Sequence, residues 1–183
     1  MHRNPSRGRP QGHVTALGLL ITLAIVALTA AACADNASET PGAAGENFAL
    51  QPFSVHVQPG ESHPPYNSRP ATSGWHTGAV ARWGGYEDTF IPDEVLVHNL
   101  EHGGIGVHFD CDEGCPGLIG ELAEIARHYD KVVMSPYPGM DSRIALTAWT
   151  FLDAFDEFDE ERVTAFIEAH ISSPDAPEGG LPP

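Results

Sequence analysis

The sequence predicts an α+β fold: a single domain with a mostly antiparallel sheet of about five strands, two main helices and long Pro/Gly-rich loops. Three observations carry this. Short apolar runs of strand length recur at 95–97, 105–109, 132–134 and 144–149. Helical spacing of apolar residues is clear only twice, after Pro116 and after Asp159. The 16 prolines and 19 glycines fall mostly between these segments, which leaves long irregular connections.

The chain opens with an address rather than a fold. Arg3, Arg7 and Arg9 precede an uncharged stretch from Val14 to Ala32, rich in Leu, Ile, Val and Ala. That is the layout of an export signal, and it is also long enough to span a bilayer. The arginines stay on the cytoplasmic side, so the rest of the chain is expected to face outward. Residues 28–33, LTAAAC, resemble a bacterial lipoprotein box in which Cys33 is lipidated and becomes the mature N-terminus. Ala30 stands where Leu is commonest, so an uncleaved N-terminal anchor is the alternative. Residues 1–33 are therefore read as signal or anchor, 34–47 as a flexible tether, 48–171 as the domain and 172–183, where Pro and Gly dominate, as a loose tail.

Within the domain, alternation of Phe53, Val55 and Val57 predicts a first strand in 48–57. A Pro-rich loop, 58–77, carries His63, Tyr66, Trp75 and His76, which a mere linker seldom does. Strands at 95–97 and 105–109 are expected to join through a turn at 98–104. Pro116 suits the first position of a helix reaching about His128, with Leu118, Ile119, Leu122, Ile125 and Ala126 as its stripe. Strands at 132–134 and 144–149 flank the loop SPYPGMDS. Asp159 caps a last helix, with Glu160 and Glu161 in its first turn and Val163, Phe166 and Ile167 inward.

Three of the nine basic residues and none of the 25 acids precede Cys33, leaving six basic residues against 25 acids beyond it. Such a charge keeps a tethered domain soluble, argues against nucleic acid and anionic lipid as partners, and concentrates cations. With Cys33 given to lipid, Cys111 and Cys115 remain, and an oxidising compartment makes them a small-loop disulfide. The rival is a thiolate metal pair. CDEGC has no second cysteine pair to complete a zinc ribbon, and Asp112 and Glu113 raise the thiol pKa values.

RPATSGWH at 69–76, VHNLEHGG at 97–104 and SPYPGM followed by RIALTAW within 135–149 together resemble the "domain of unknown function 3105" family of bacterial extracytoplasmic proteins. The resemblance runs from about His56 to Pro177. It implies one domain, export and a His-rich centre, and no established activity. The chain departs from the family pattern at Ala71, where a second proline is usual, and at His108, where an aromatic residue is expected. The second departure puts His108 in doubt as a family-wide functional group.

The chemistry concentrates at His98, Glu101 and His102, set between two apolar runs where ionisable groups are costly to bury unless coordinated or paired. Neutral imidazole is the commonest ligand for zinc, copper and nickel. The expected metal ligands are His76, His98 and His102, with Met140 or Glu101 completing the site and His63 a weaker candidate. A thioether beside imidazoles favours copper, so copper ranks first and zinc second. The expected partners are the metal ion and, through the N-terminal anchor, the membrane. A second reading takes His98–His102 as the H-x-x-E-H pattern of a zinc-dependent hydrolase with Glu101 as catalytic base. The apolar run before His98 and the glycines after His102 predict too little helix for it. A third reading is a non-enzymatic interaction module, whose histidines form a structural network with Glu101 paired to an imidazole or to Arg143. His56, His128 and His170 read as ordinary.

Overall fold

The computed structural model describes residues 44–54, 56–111 and 114–181. The signal or anchor segment with Cys33 and most of the tether lie outside the described residues, as do Asp112 and Glu113. Among the described residues no helix is long and apolar enough to cross a membrane.

The α+β class holds, with one mixed sheet of six strands and three helices. In chain order these are β1 (Glu46–Asn47), β2 (Gly84–Gly85), α1 (Asp93–Glu101), β3 (Ile105–Phe109), α2 (Pro116–Ala126), β4 (Val132–Pro136), β5 (Ile144–Ala148), β6 (Phe151–Phe155) and α3 (Glu160–His170). The sheet order is β1-β6-β5-β3-β4-β2. The β3–β4 and β2–β4 pairs are parallel, while β3–β5, β5–β6 and β1–β6 are antiparallel.

Three expectations are corrected. The run at 95–97 is helix, not strand. Pro92 precedes it, Asp93 and Glu94 complement the positive end of the helix dipole, and Leu96, Val97 and Leu100 are buried at helical spacing. The glycines that follow His102 are its stop signal. Gly103 takes φ +72° and donates to the Leu100 carbonyl, and Gly104 donates to the Asn99 carbonyl, both at 2.9 Å. This is the Schellman pattern, so Gly103-Gly104 ends a helix rather than precluding one.

The expected strand at 48–57 does not form among its described residues. Its amides bond to the Pro-rich segment instead, Gln51 to Ser73 Oγ and Val57 to the His76 carbonyl. Phe53 packs edge-on against Trp149 at 5.2 Å, so its apolar character serves as an anchor. The last correction is β6, which the acidic run FLDAFDEFDE concealed. It pairs with β5 across a two-residue turn in which Thr150 has φ +66°. Its inward Asp153 is neutralised by Arg162 through bonds of 2.6 and 2.8 Å.

Side chains alternate across the sheet. Ile105, Val107, Phe109, Val132, Met134, Ile144 and Leu146 face α2 and α3 and form one core. The opposite face is covered by α1 and the Pro-rich segment, around Ala71, Ala81, Leu96, Leu100, Val133 and Trp149. That second face is unusually polar, carrying His108, Ser135 and Thr147, all fully buried. His108 Nε2 meets Thr147 Oγ1 at 3.0 Å. Gly106 is required beside them, because a Cβ there would collide with the Thr147 hydroxyl and the His108 ring.

Burial pushes the His108 imidazole down to about 3 from 6.5. Its folded pKa lies below its unfolded value, so it withdraws stability as pH falls from 6.5 toward 3, by at most about 1.4 kcal/mol per pH unit. Ring-nitrogen NMR of the folded protein at pH 5 is expected to find His108 neutral, and a midpoint near 6.5 would contradict the buried placement.

Candidate metal centre

The segment from His56 to Trp83 forms no strand, so its buried backbone must find other partners. It finds many of them on α1. Thr77 N–H donates to the Glu94 carbonyl at 2.8 Å. The Asn99 side chain accepts from Ala81 N–H at 2.8 Å and donates to the Ala81 carbonyl at 2.9 Å, imitating a strand partner. Val57 N–H donates to the His76 carbonyl at 2.9 Å, which carries His56 alongside. The loop histidines are thereby pinned beside the helix face that presents His98 and Glu101, three residues apart.

Each of the two buried imidazoles is oriented by a backbone carbonyl. His98 Nδ1 lies 2.8 Å from the Thr77 oxygen and His76 Nδ1 lies 2.9 Å from the Gly74 oxygen. A neutral ring that donates from Nδ1 keeps its lone pair on Nε2, the arrangement in which second-sphere bonds prepare a histidine for metal. Burial, the largest influence, pushes the His98 pKa below the ordinary imidazole value, opposed by the bond to Thr77 and reinforced by His76 and His102. Glu101 also opposes the shift, and the net direction favours the neutral ring, the form that ligates.

His76 is the decisive residue. It is fully buried, and its Nε2 stands 3.0 Å from Glu101 Oε2. The approach is not that of a hydrogen bond, so His76 Nε2 has no partner despite the short distance. In the neutral ring a lone pair faces a carboxylate in a dry site, and a proton or a cation has to stand between them. Donor atoms of His56, His76, His98 and Glu101 all lie within 4.8 Å of one another, with the three buried and His56 exposed. A tetrahedral ion with bonds of about 2.0–2.1 Å has donor–donor edges of about 3.4 Å. Side-chain rotation would have to close the difference; with that, this His/Glu group could hold a metal ion.

A family model described as a protein of unknown function (DUF3105) matches residues 56–183. The chain belongs to this family. No match was found among curated proteins or among solved structures.

Of the residues expected to form the site, this DUF3105 domain brings together His76, His98 and Glu101. It adds His56, which no sequence spacing links to the others. His102 lies next to the group without joining it. Its ring stacks on His98 at 5.0 Å, and its Nδ1 lies 3.2 Å from Glu178 Oε2. His63 instead stacks on Trp75 at 5.6 Å and reaches Glu94 at 3.2 Å. Met140 is not brought to the histidines. It lines a separate depression with Cys111 and Cys115, which are joined as a disulfide.

Residues 172–181, expected to be loose, are strapped to the end of α1. Ser172 N–H donates to the Gly103 carbonyl at 2.7 Å and Glu178 N–H to the Glu101 carbonyl at 2.9 Å. Lys131 Nζ gathers the carbonyls of His102, Gly179 and Leu181 at 2.7–3.3 Å. An ammonium satisfied by converging carbonyls explains why a Pro/Gly-rich tail stays docked.

Replacing Glu101 by Gln separates a metal site from a structural ion pair. The amide can donate to His76 Nε2, so Glu101→Gln is expected to raise the stability of the metal-free protein by about 1 kcal/mol while removing most metal-induced stabilisation. Thermal unfolding with chelator and with added zinc reads both. A loss of metal-free stability would mean that an imidazolium–carboxylate pair holds the fold.

Proposed function

We propose that this protein is a membrane-tethered, extracytoplasmic metal-binding domain that holds one divalent transition metal through His76, His98 and Glu101, with His56 as the solvent-side fourth ligand. The observation that carries the reading is the unpartnered, fully buried His76 Nε2 facing the Glu101 carboxylate. The tether half of the reading rests on the sequence, through the arginine-flanked apolar stretch and Cys33.

Three imidazoles and a carboxylate form a borderline-hard donor set, which suits zinc or another divalent ion better than Cu(I). The preference for copper depended on a thioether in the set, and Met140 lies elsewhere. Zinc therefore ranks first and Cu(II) second. A closed four-ligand site suits storage, delivery or bracing of the fold. The hydrolase alternative has less support, because it needs His98 and His102 as the ligand pair and a Glu101 free to act on water. Here Glu101 is turned toward His76 and His102 toward Glu178.

The full chain, purified in detergent without affinity histidines and loaded with Zn(II), Cu(II) or Cu(I), is expected to retain about one ion of the preferred metal by mass spectrometry. The His76→Ala/His98→Ala variant should retain less than about a tenth of that, since two ligands are gone. No metal in either protein would reduce the cluster to a structural polar network.

A further inference from the structure

A second group of potential ligands lies outside the histidine cluster. Cys111, Cys115 and Met140 line one depression of about 450 Å³, together with Asp110, Asp141 and Asp156. The placement of Met140 is specific. Asp110 directly follows β3, and its Oδ2 accepts the amides of Gly139 at 2.7 Å and Met140 at 3.0 Å. The carboxylate thus clamps the β4–β5 loop onto the residue that precedes Cys111. Met140 is only half-buried on a Pro/Gly turn, whereas Met134 is fully inside the core, so core filling does not account for it.

The cysteines suit a shared ion. Their Cα atoms are 5.9 Å apart across a four-residue separation, so both sulfurs serve one small space. Cys115 is the N-cap of α2, where the helix dipole favours a thiolate. Asp110, Asp141 and Asp156 outnumber Arg143 around the depression, so its net negative charge opposes a bare thiolate pair and favours one neutralised by a cation. Two thiolates and a thioether make a soft donor set, which selects Cu(I).

We propose that reduction of the Cys111–Cys115 disulfide opens a three-sulfur Cu(I) site completed by Met140. A dithiol reductant supplies two electrons and two protons to the S–S bond and leaves as its own disulfide. Cu(I) then bonds to both cysteine sulfurs, displacing the two thiol protons, and to Met140 Sδ, with no change in its oxidation state. In the bridged form no thiolate is present and the site is closed to copper. This site is separate from the histidine cluster, and either stands if the other fails.

The test is competition of the full chain against the Cu(I) chromophore bicinchoninate, with the protein bridged or reduced by a phosphine. The reduced protein is expected to take up one further Cu(I), and the His76→Ala/His98→Ala variant should show the same gain. Met140→Leu, which preserves volume and leaves the disulfide intact, should weaken the gained site by at least the roughly tenfold that loss of a supporting residue costs a metal site. Equal uptake by bridged and reduced protein would overturn the proposal. So would a gain that vanishes with the histidines, or one indifferent to Met140→Leu.

Discussion

Within the segment from His56 to Trp83, the stretch from Pro70 to Thr77 is largely buried yet joins no sheet, and the need to satisfy its N–H and C=O groups shapes the surrounding architecture. Helix α1 supplies many of the missing partners, through the Glu94 carbonyl, the His98 ring and both polar atoms of the Asn99 amide. The same contacts that make an irregular segment tolerable in the interior also fix its histidines. The His98–Thr77 bond does both at once, because it satisfies a loop carbonyl and aims an imidazole lone pair inward. Fold and candidate site are therefore one construction, and the helix could not move without dispersing the donors.

The electrostatic problem follows from that rigidity. Glu101 and His76 are brought to 3.0 Å in a buried place, with no hydrogen-bond geometry to relieve the contact. Around them lie further restraints. His102 stacks on His98 and is held by Glu178, while Lys131 fastens the C-terminal segment to the end of α1. These contacts brace the C-terminal end of the ligand-bearing helix. A bound cation would relieve the unpaired approach of His76 Nε2 to the Glu101 carboxylate.

The sequence made the core legible where one period dominated. The stripes of α2 and α3, the strands β3, β4 and β5, and the Asp159 cap all announced themselves. It misled where two signals competed. Val95-Leu96-Val97 is β-branched enough to look like a strand, and only the acidic first turn and Gly103 reveal the helix. That one error also hid the face shared by His98 and Glu101. The loop marks His76 and the motif marks His98, but His56 carries no local mark because a backbone bond from Val57 to His76 brings it alongside. Only ligand chemistry links Met140 to the histidines in the sequence, and the Asp110 clamp that holds it beside the disulfide has no signature in sequence spacing.

The central claim is that the buried donors of His76, His98 and Glu101, with His56 on the solvent side, hold a metal ion. X-ray absorption at the zinc edge of the loaded, disulfide-intact protein tests it most directly. The account predicts a first shell of nitrogen and oxygen alone at about 2.0–2.1 Å, with the outer-shell scattering of imidazole rings. A shell containing sulfur at about 2.3 Å, or zinc held without imidazole scattering, would contradict it.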